Sequence, residues 1–191
     1  MKSDGIQPPG VLAESSLARR FADEFAAKWH EHLTMNVMRL DTVNDVPRAP
    51  GQLRALRESD LFFAPYWARG FAEDCNNKVY PPDFEARAAE IKSRVGADMH
   101  YFWEVDGTPV SQAVAARKTV NGVTINGVYT PPTFRGLGYA TSCVAELSRL
   151  LLARGNAFCA LFADAKNPIS CGIYRKIGFK DAAVTSELYF D

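Results

Sequence analysis

The stretch Phe134-Arg135-Gly136-Leu137-Gly138-Tyr139-Ala140-Thr141 places two glycines where an apolar helical pattern begins. Glycine gives up more backbone entropy on folding than other residues, roughly 0.5–1 kcal/mol against alanine, so bare backbone must serve a purpose there. The first amides of a helix lack partners within it, and the helix dipole adds about half a positive charge at that end. Glycines let an anion approach those N–H groups with no Cβ in the way, and Arg135 can add a cation whose planar fork suits phosphate. The chemistry implied is the holding of a phosphate-bearing ligand; a tight turn without a ligand is the alternative reading of the same fragment. Two common nucleotide loops are excluded. No Gly-Lys-Ser/Thr is present, and a G-x-G-x-x-G fingerprint would need glycine where the chain has Thr141.

The elements that must position this loop follow from hydrophobic spacing. After a flexible lead over residues 1–10, Leu17, Phe21, Phe25, Trp29 and Leu33 recur every four residues, which predicts one amphipathic helix from Ser15 to about Leu33. Residues 35–43 alternate like a short strand, and residues 44–51, with two prolines and a glycine, read as a linker. A short strand over 52–56 follows, then a helical stretch over 61–75 capped by Ser59 and interrupted by Pro65, then a helix capped by Asp83 and closed by Gly96. Asp106-Gly107 joins two strand-like runs as a hairpin, and Asn121-Gly122 leads into a third run in which Asn126-Gly127 suggests a bulge. Pro131-Pro132 ends that strand, and a helix runs through Val144, Leu147, Leu150 and Leu151 to Gly155. Residues 157–163 form a short apolar run suited to a strand buried on both faces. Asn167-Pro168 opens a last helix ended by Gly178, and residues 179–190 supply a closing pair of strands. The connection from Val123 to Phe162 is long enough for a right-handed parallel crossover. The expectation is an α/β fold with a mixed, mostly antiparallel sheet, divided into an N-terminal extension (1–50) and a main domain (51–191).

Composition narrows the function classes. The 22 Lys plus Arg residues balance the 22 Asp plus Glu, so the chain lacks the basic excess that usually marks a nucleic-acid or anionic-membrane partner. Cys75, Cys143, Cys159 and Cys171 form no C-x-x-C pair and have no histidine at ligand spacing, which predicts reduced thiols and no metal site. His30 and His32 on a predicted helix would point to different faces, and His100 has no assignable role. The N-terminus has no apolar core of a signal peptide and no run approaches a spanning helix, so the cytoplasm is the expected compartment. No G-x-S-x-G elbow is present, which disfavours a serine hydrolase.

The stretch from Gly127 to Gly155 resembles the acetyl-CoA-binding signature of the GNAT superfamily of N-acetyltransferases, whose R/Q-x-x-G-x-G/A motif is matched by Arg135, Gly138 and Ala140. A second block, from Leu161 to Phe179, resembles that superfamily's later motif through Asn167, Tyr174, Gly178 and Phe179. The resemblance implies helices on both faces of a central sheet splayed at a V-shaped cofactor gap. It implies that main-chain groups of Val128, Tyr129 and Thr130 bond the acetyl carbonyl and the pantetheine arm. The amides of Arg135, Gly136, Leu137, Gly138, Tyr139, Ala140 and Thr141 would hold the diphosphate. Asn167 would reach the ligand from the other wall, and Tyr174 would stand near the sulfur.

The implied reaction is acyl transfer from the co-substrate acetyl-CoA to a primary amine by direct attack in a ternary complex, with no metal. A leaving thiol of pKa about 8.5 benefits from a nearby acid, and a phenol of pKa about 10 stays protonated to serve. Tyr174 is the candidate acid. Glu104 is the candidate base, with Asp164 or a water relay as alternatives. The runner-up function is a non-catalytic acyl-CoA-binding module or sensor. The aromatics Phe62, Phe63, Tyr66 and Trp67 are expected to line the acceptor side or pack in the core, in a monomer or homodimer.

Overall fold

The computed structural model describes residues 8–75 and 84–191. One eight-stranded sheet runs through it, built from β1 (Gly10–Glu14), β2 (Trp29–Leu40), β3 (Gln52–Ala55), β4 (His100–Val105), β5 (Thr108–Lys118), β6 (Gly122–Tyr129), β7 (Phe158–Asp164) and β8 (Lys180–Phe190). Their order across the sheet is β1-β8-β2-β7-β6-β5-β4-β3. Five helices accompany it: α1 (Ser15–Phe25), α2 (Ala64–Asp74), α3 (Phe84–Lys92), α4 (Tyr139–Ala153) and α5 (Pro168–Ile177).

Period-two alternation assigns the two faces. Trp103, Ala113 and Ile125 pack with Val144 and Leu147 of α4, whereas Phe102, next along β4, packs with Ala64 of α2 and Ile91 of α3. Helices therefore lie on both faces, as expected. The hairpin at Asp106-Gly107, the turn at Asn121-Gly122 and the antiparallel run β4-β5-β6 also stand as read from the sequence. Between β5 and β6 the register slips, with Gln112 opposite Tyr129 but Val114 opposite Asn126. That slip is the foreseen bulge, and Gly127 takes the φ of +58° that it needs.

Several expectations are corrected. The helix expected to reach Leu33 ends at Phe25, and Trp29 and Leu33 belong to β2. A spacing of four fits a helical stripe and alternate strand positions equally, so periodicity alone did not separate them. Glu14 caps α1 by accepting from the amides of Ser16 and Leu17, both at 3.1 Å, after the short strand β1, which the sequence pattern did not show. Ser59 lies in a 3-10 turn, and Pro65 sits in the first turn of α2, where its missing N–H is harmless, rather than interrupting a helix. The closing pair of strands is one 11-residue strand, β8, whose sequence holds no glycine, proline or asparagine to break it. Asp83 lies outside the described residues.

Residues 44–51, expected as a linker, form a strap across α4. Val46 is buried, the Ala49 amide donates to Ser142 Oγ at 2.8 Å, and Trp103 Nε1 donates to the Pro50 carbonyl at 2.8 Å. β2 lies inside the sheet between β8 and β7, and α1 packs through Ala18 and Ala22 on Leu188 of β8. The N-terminal residues thus supply two strands, β1 and β2, to the same sheet and one helix packed on it. His30 and His32 stand on β2, both against the Tyr189 ring, with centroids 5.9 and 4.9 Å away.

His100 is a buried residue of β4, and burial lowers its pKa to about 4. It therefore stays neutral in the folded protein while the unfolded chain takes up a proton near pH 6.5. The sign follows: its contribution makes stability fall as pH drops from about 6.5 to about 4, by about 3 kcal/mol in total, and then level off. Arg94, which disfavours the charged ring, and Asp60, which favours it, are the charges facing it. Denaturant midpoints compared with His100→Phe are expected to show this slope in wild type and its loss in the variant.

Candidate functional site

β6 and β7 are the parallel pair, and their pairing lasts only from Gly122–Phe158 through Thr124–Ala160. Beyond it the strands part. The gap opens into a cavity of about 520 Å³, a volume typical of small-molecule sites, lined by residues that include Val128, Tyr129 and Thr130 of the β6 end, Gly136, Gly138 and Thr141 at the start of α4, and Tyr174 of α5. A strand that splays from its parallel neighbour leaves main-chain groups without a ladder partner, which is the arrangement a ligand with an amide-bearing arm can complete.

At one end of the cavity lies the N-terminus of α4. Its first internal bond runs from the Ser142 amide to the Gly138 carbonyl, at 3.0 Å, so the amides of residues 139–141 have no partner within the helix. Gly136 and Gly138 have φ of +78° and +80°, which L-residues adopt only with strain. A Cβ on Gly136 would meet no atom within 4 Å, and one on Gly138 would meet only Ala49 Cβ, at 3.8 Å. Gly136, Gly138, Tyr139, Ala140 and Thr141 all line the cavity, so a diphosphate fits the residues present.

Arg135 lines the cavity, but its guanidinium is engaged. Nε donates to the Thr130 carbonyl at 2.9 Å and Nη2 to Asp74 at 2.5 Å, which ties the loop to the end of α2. Ser111 Oγ donates to the Tyr129 carbonyl at 3.3 Å and shares a 2.9 Å bond with Thr130 Oγ1, which pins the strand end from β5. The Tyr129 side chain points the other way, onto α2. Its ring lies 6.0 Å from that of Trp67, and a Cβ at Gly70 would fall 2.4 Å from its hydroxyl. Trp67 and Phe63 pack against Phe102 in the core, whereas Phe62 and Tyr66 are exposed.

Tyr174 is 9% exposed, with its ring 5.9 Å from that of Phe179. Burial pushes its phenol well above the ordinary value, so it is a protonated donor throughout the neutral range. Ile169, Ser170 and Ile173 of α5 line the same cavity; Ser170 stands one turn before Tyr174, at the i, i+4 spacing that would have found it, and Ile169 and Ile173 form a second i, i+4 pair beside them. The part played by Asp74 had no signal in the sequence, because its partner Arg135 is 61 residues away.

Other candidates stand apart from the cavity. Leu137 is exposed at the loop tip, and it and Asn167 are not among the lining residues. Asn167 Oδ1 caps α5 by accepting from the Ser170 amide at 3.0 Å, which leaves only its amide nitrogen for a ligand. Asp164 accepts from the Lys166 amide at 2.8 Å and orders the turn into α5. Glu104, expected as a base, is 8% exposed on the α2/α3 face of β4 and lines no part of the cavity. Its carboxylate is held by Arg54 and lies 3.7 Å from Arg57, while Arg54 also bonds Asp60 at 2.6 and 2.9 Å. A carboxylate so paired is built into the core, because removing one partner strands the other charge. Glu104→Gln is therefore expected to lower the melting temperature by several degrees while leaving turnover per folded molecule within about twofold. A large loss of kcat at unchanged stability would restore Glu104 as a base.

All four cysteines are free, and three are buried. Burial raises the Cys143 thiol to about 12 and the Cys159 thiol to about 11, so neither is a ready nucleophile. Among the described residues no cluster of three or more metal-ligating side chains occurs, and no helix is long and apolar enough to cross a membrane.

A family model described as FR47-like protein matches residues 105–188, just under half of the chain and all of the cavity apart from Asp74. No curated protein matches the sequence. Among solved structures, a GNAT-family acetyltransferase from Colwellia psychrerythraea superposes with a TM-score of 0.72 at 10% identity, over 95% of this chain and 65% of its own. A GCN5-related N-acetyltransferase from Sphaerobacter thermophilus gives 0.66 at 18% identity, over 93% and 57%. An acetyltransferase from Clostridium acetobutylicum described with acetyl-CoA gives 0.50 at 17% identity, over 69% and 90%. At these identities the likeness is one of fold, and the chain spans two thirds or less of the length of the first two. The FR47-like match and the shared fold agree with the resemblance carried by Arg135, Gly138, Asn167 and Tyr174: the chain has the fold of GNAT-family acetyltransferases, and residues 105–188 match an FR47-like model.

Proposed function

We propose that the protein is an acetyl-CoA-dependent N-acetyltransferase that acetylates a primary amine by direct attack in a ternary complex. The observation that carries this reading is the parting of β6 from β7 after three residue pairs, with bare helix amides at one end of the resulting cavity and a buried phenol lining it. Bound acetyl-CoA supplies a thioester whose carbonyl carbon takes the amine and whose thiolate leaves.

The residues divide the work by position. Amides of Gly136 and of residues 138–141 hold the diphosphate, aided by the α4 dipole. Main-chain groups of Val128, Tyr129 and Thr130 align the pantetheine arm, and an amide at the bulge polarises the thioester carbonyl. Tyr174 protonates the departing sulfur, and solvent restores its proton. The N–C bond forms as the C–S bond breaks, and the amine's surplus proton passes to water. Holding both reactants in one cleft supplies much of the remaining acceleration.

A primary-amine library assayed for free thiol release tests this reading. Turnover with at least one amine is expected. Tight acetyl-CoA binding with no turnover across the library would favour a binding module, and no binding would overturn the reading.

A further inference from the structure

Behind the bulge of β6 lies a buried polar chain that the proposed reaction does not call for. On the α2/α3 face of the sheet, Gln112 of β5 and His100 of β4 are each 2% exposed. Gln112 Nε2 donates to the Gly127 carbonyl at 3.3 Å, and His100 Nε2 lies 3.1 Å from Gln112 Oε1. The His100 ring stacks on Phe102 with centroids 5.0 Å apart, and its Nδ1 has no hydrogen-bond partner among the described residues.

The chemistry of the chain fixes every proton in it. The Gly127 carbonyl can only accept, so the Gln112 amide must present its NH2 there and its oxygen to His100. That oxygen needs a donor, so His100 carries its proton on Nε2 and Nδ1 stays bare. Burying such an unsatisfied atom is costly, and an apolar residue at position 100 would avoid that cost. A tautomer held in this way has one visible consequence. It locks the Gln112 amide, and through it the Gly127 carbonyl.

The carbonyl and N–H of one trans peptide point in opposite directions. Drawing the Gly127 oxygen toward Gln112 on the α2/α3 face therefore turns the Val128 N–H toward the opposite face, where Val128 lines the cavity beside α4 and α5. Gly127, at φ +58°, has the backbone freedom to take other orientations, so the peptide needs an external brace. We infer that Gln112, braced by His100, is a positioning pair that aims the Val128 amide at the acyl carbonyl of the ligand in the β6–β7 cleft. The inference rests on the acyl-CoA reading of that cleft.

The test is isotope-edited infrared spectroscopy of acetyl-CoA labelled with 13C at the thioester carbonyl, with calorimetry in parallel and no amine present. In wild type the bound carbonyl band is expected to shift to lower wavenumber than in free acetyl-CoA, as hydrogen bonding requires. Gln112→Met removes both polar atoms at similar length. It is expected to return the band at least halfway to the free position while the dissociation constants of acetyl-CoA and CoA stay within about threefold. His100→Phe keeps the stack on Phe102 and releases the Gln112 oxygen, and is expected to shift the band partway. It serves alone should Gln112→Met fail to fold. A shifted band that both folded variants preserve would overturn the positioning role and leave the acyl-CoA site standing. An unshifted band in liganded wild type would overturn the aim of the Val128 amide, and wild type that binds neither ligand would remove the acyl-CoA reading itself.

Discussion

Tyr174→Phe is expected to lower kcat for amine acetylation about 100-fold while acetyl-CoA affinity stays within about twofold. The substitution deletes one oxygen from a residue that lines the cavity and keeps the ring against Phe179, so packing and the cleft survive. The lost proton donor matters because the leaving thiolate must otherwise depart unprotonated. Since burial holds the phenol above its ordinary value, Tyr174 contributes no descending limb to the kcat–pH profile below about pH 10. The profile of the variant should therefore keep its shape at lower height. Stopped-flow thiol release with the amine selected by the library screen, together with calorimetry, separates the two quantities. Unchanged kcat would remove Tyr174 from the reaction.

Gly138→Asp is expected to raise the CoA dissociation constant at least about 100-fold, with folding retained. Two costs combine. A non-glycine residue at φ +80° is strained by about 1–2 kcal/mol, and its side chain would stand before the α4 amides where only Ala49 is now near. A carboxylate there also repels a diphosphate, and it competes for the same N–H groups. Asp is a favourable helix cap in extended backbone, so Gly138→Asp with a relaxed loop would leave α4 intact. Gly138→Ala, which adds the strain without the charge, should fall between. Calorimetric affinity for CoA equal to wild type in Gly138→Asp would contradict the location of the diphosphate.

The part of the fold legible in the sequence is the part with local punctuation. Asp106-Gly107, Asn121-Gly122, Pro131-Pro132, Asn167-Pro168 and Gly178 each forced a turn or cap that stands where expected. The N-terminal third was misread because its hydrophobic spacing of four suits helix and strand alike, and because β1 and β2 find their partners in β8 and β7, more than a hundred residues away. The strap over 44–51 carries linker-like prolines, yet its order comes from Ser142 and Trp103. At the site, the bare amides and Tyr174 were readable because backbone geometry and helical spacing are local. The engagement of Arg135 by Asp74, the capture of Glu104 by Arg54 and the chain His100–Gln112–Gly127 are side-chain pairings across elements, which no spacing rule encodes.

A crystal structure with CoA tests the central claim most directly. The diphosphate oxygens are expected within about 3 Å of the amide nitrogens of Gly136 and residues 138–141, and the pantetheine arm is expected to run between β6 and β7 toward Tyr174. A diphosphate bound elsewhere, or a loop that closes over those amides in saturating CoA, would contradict it.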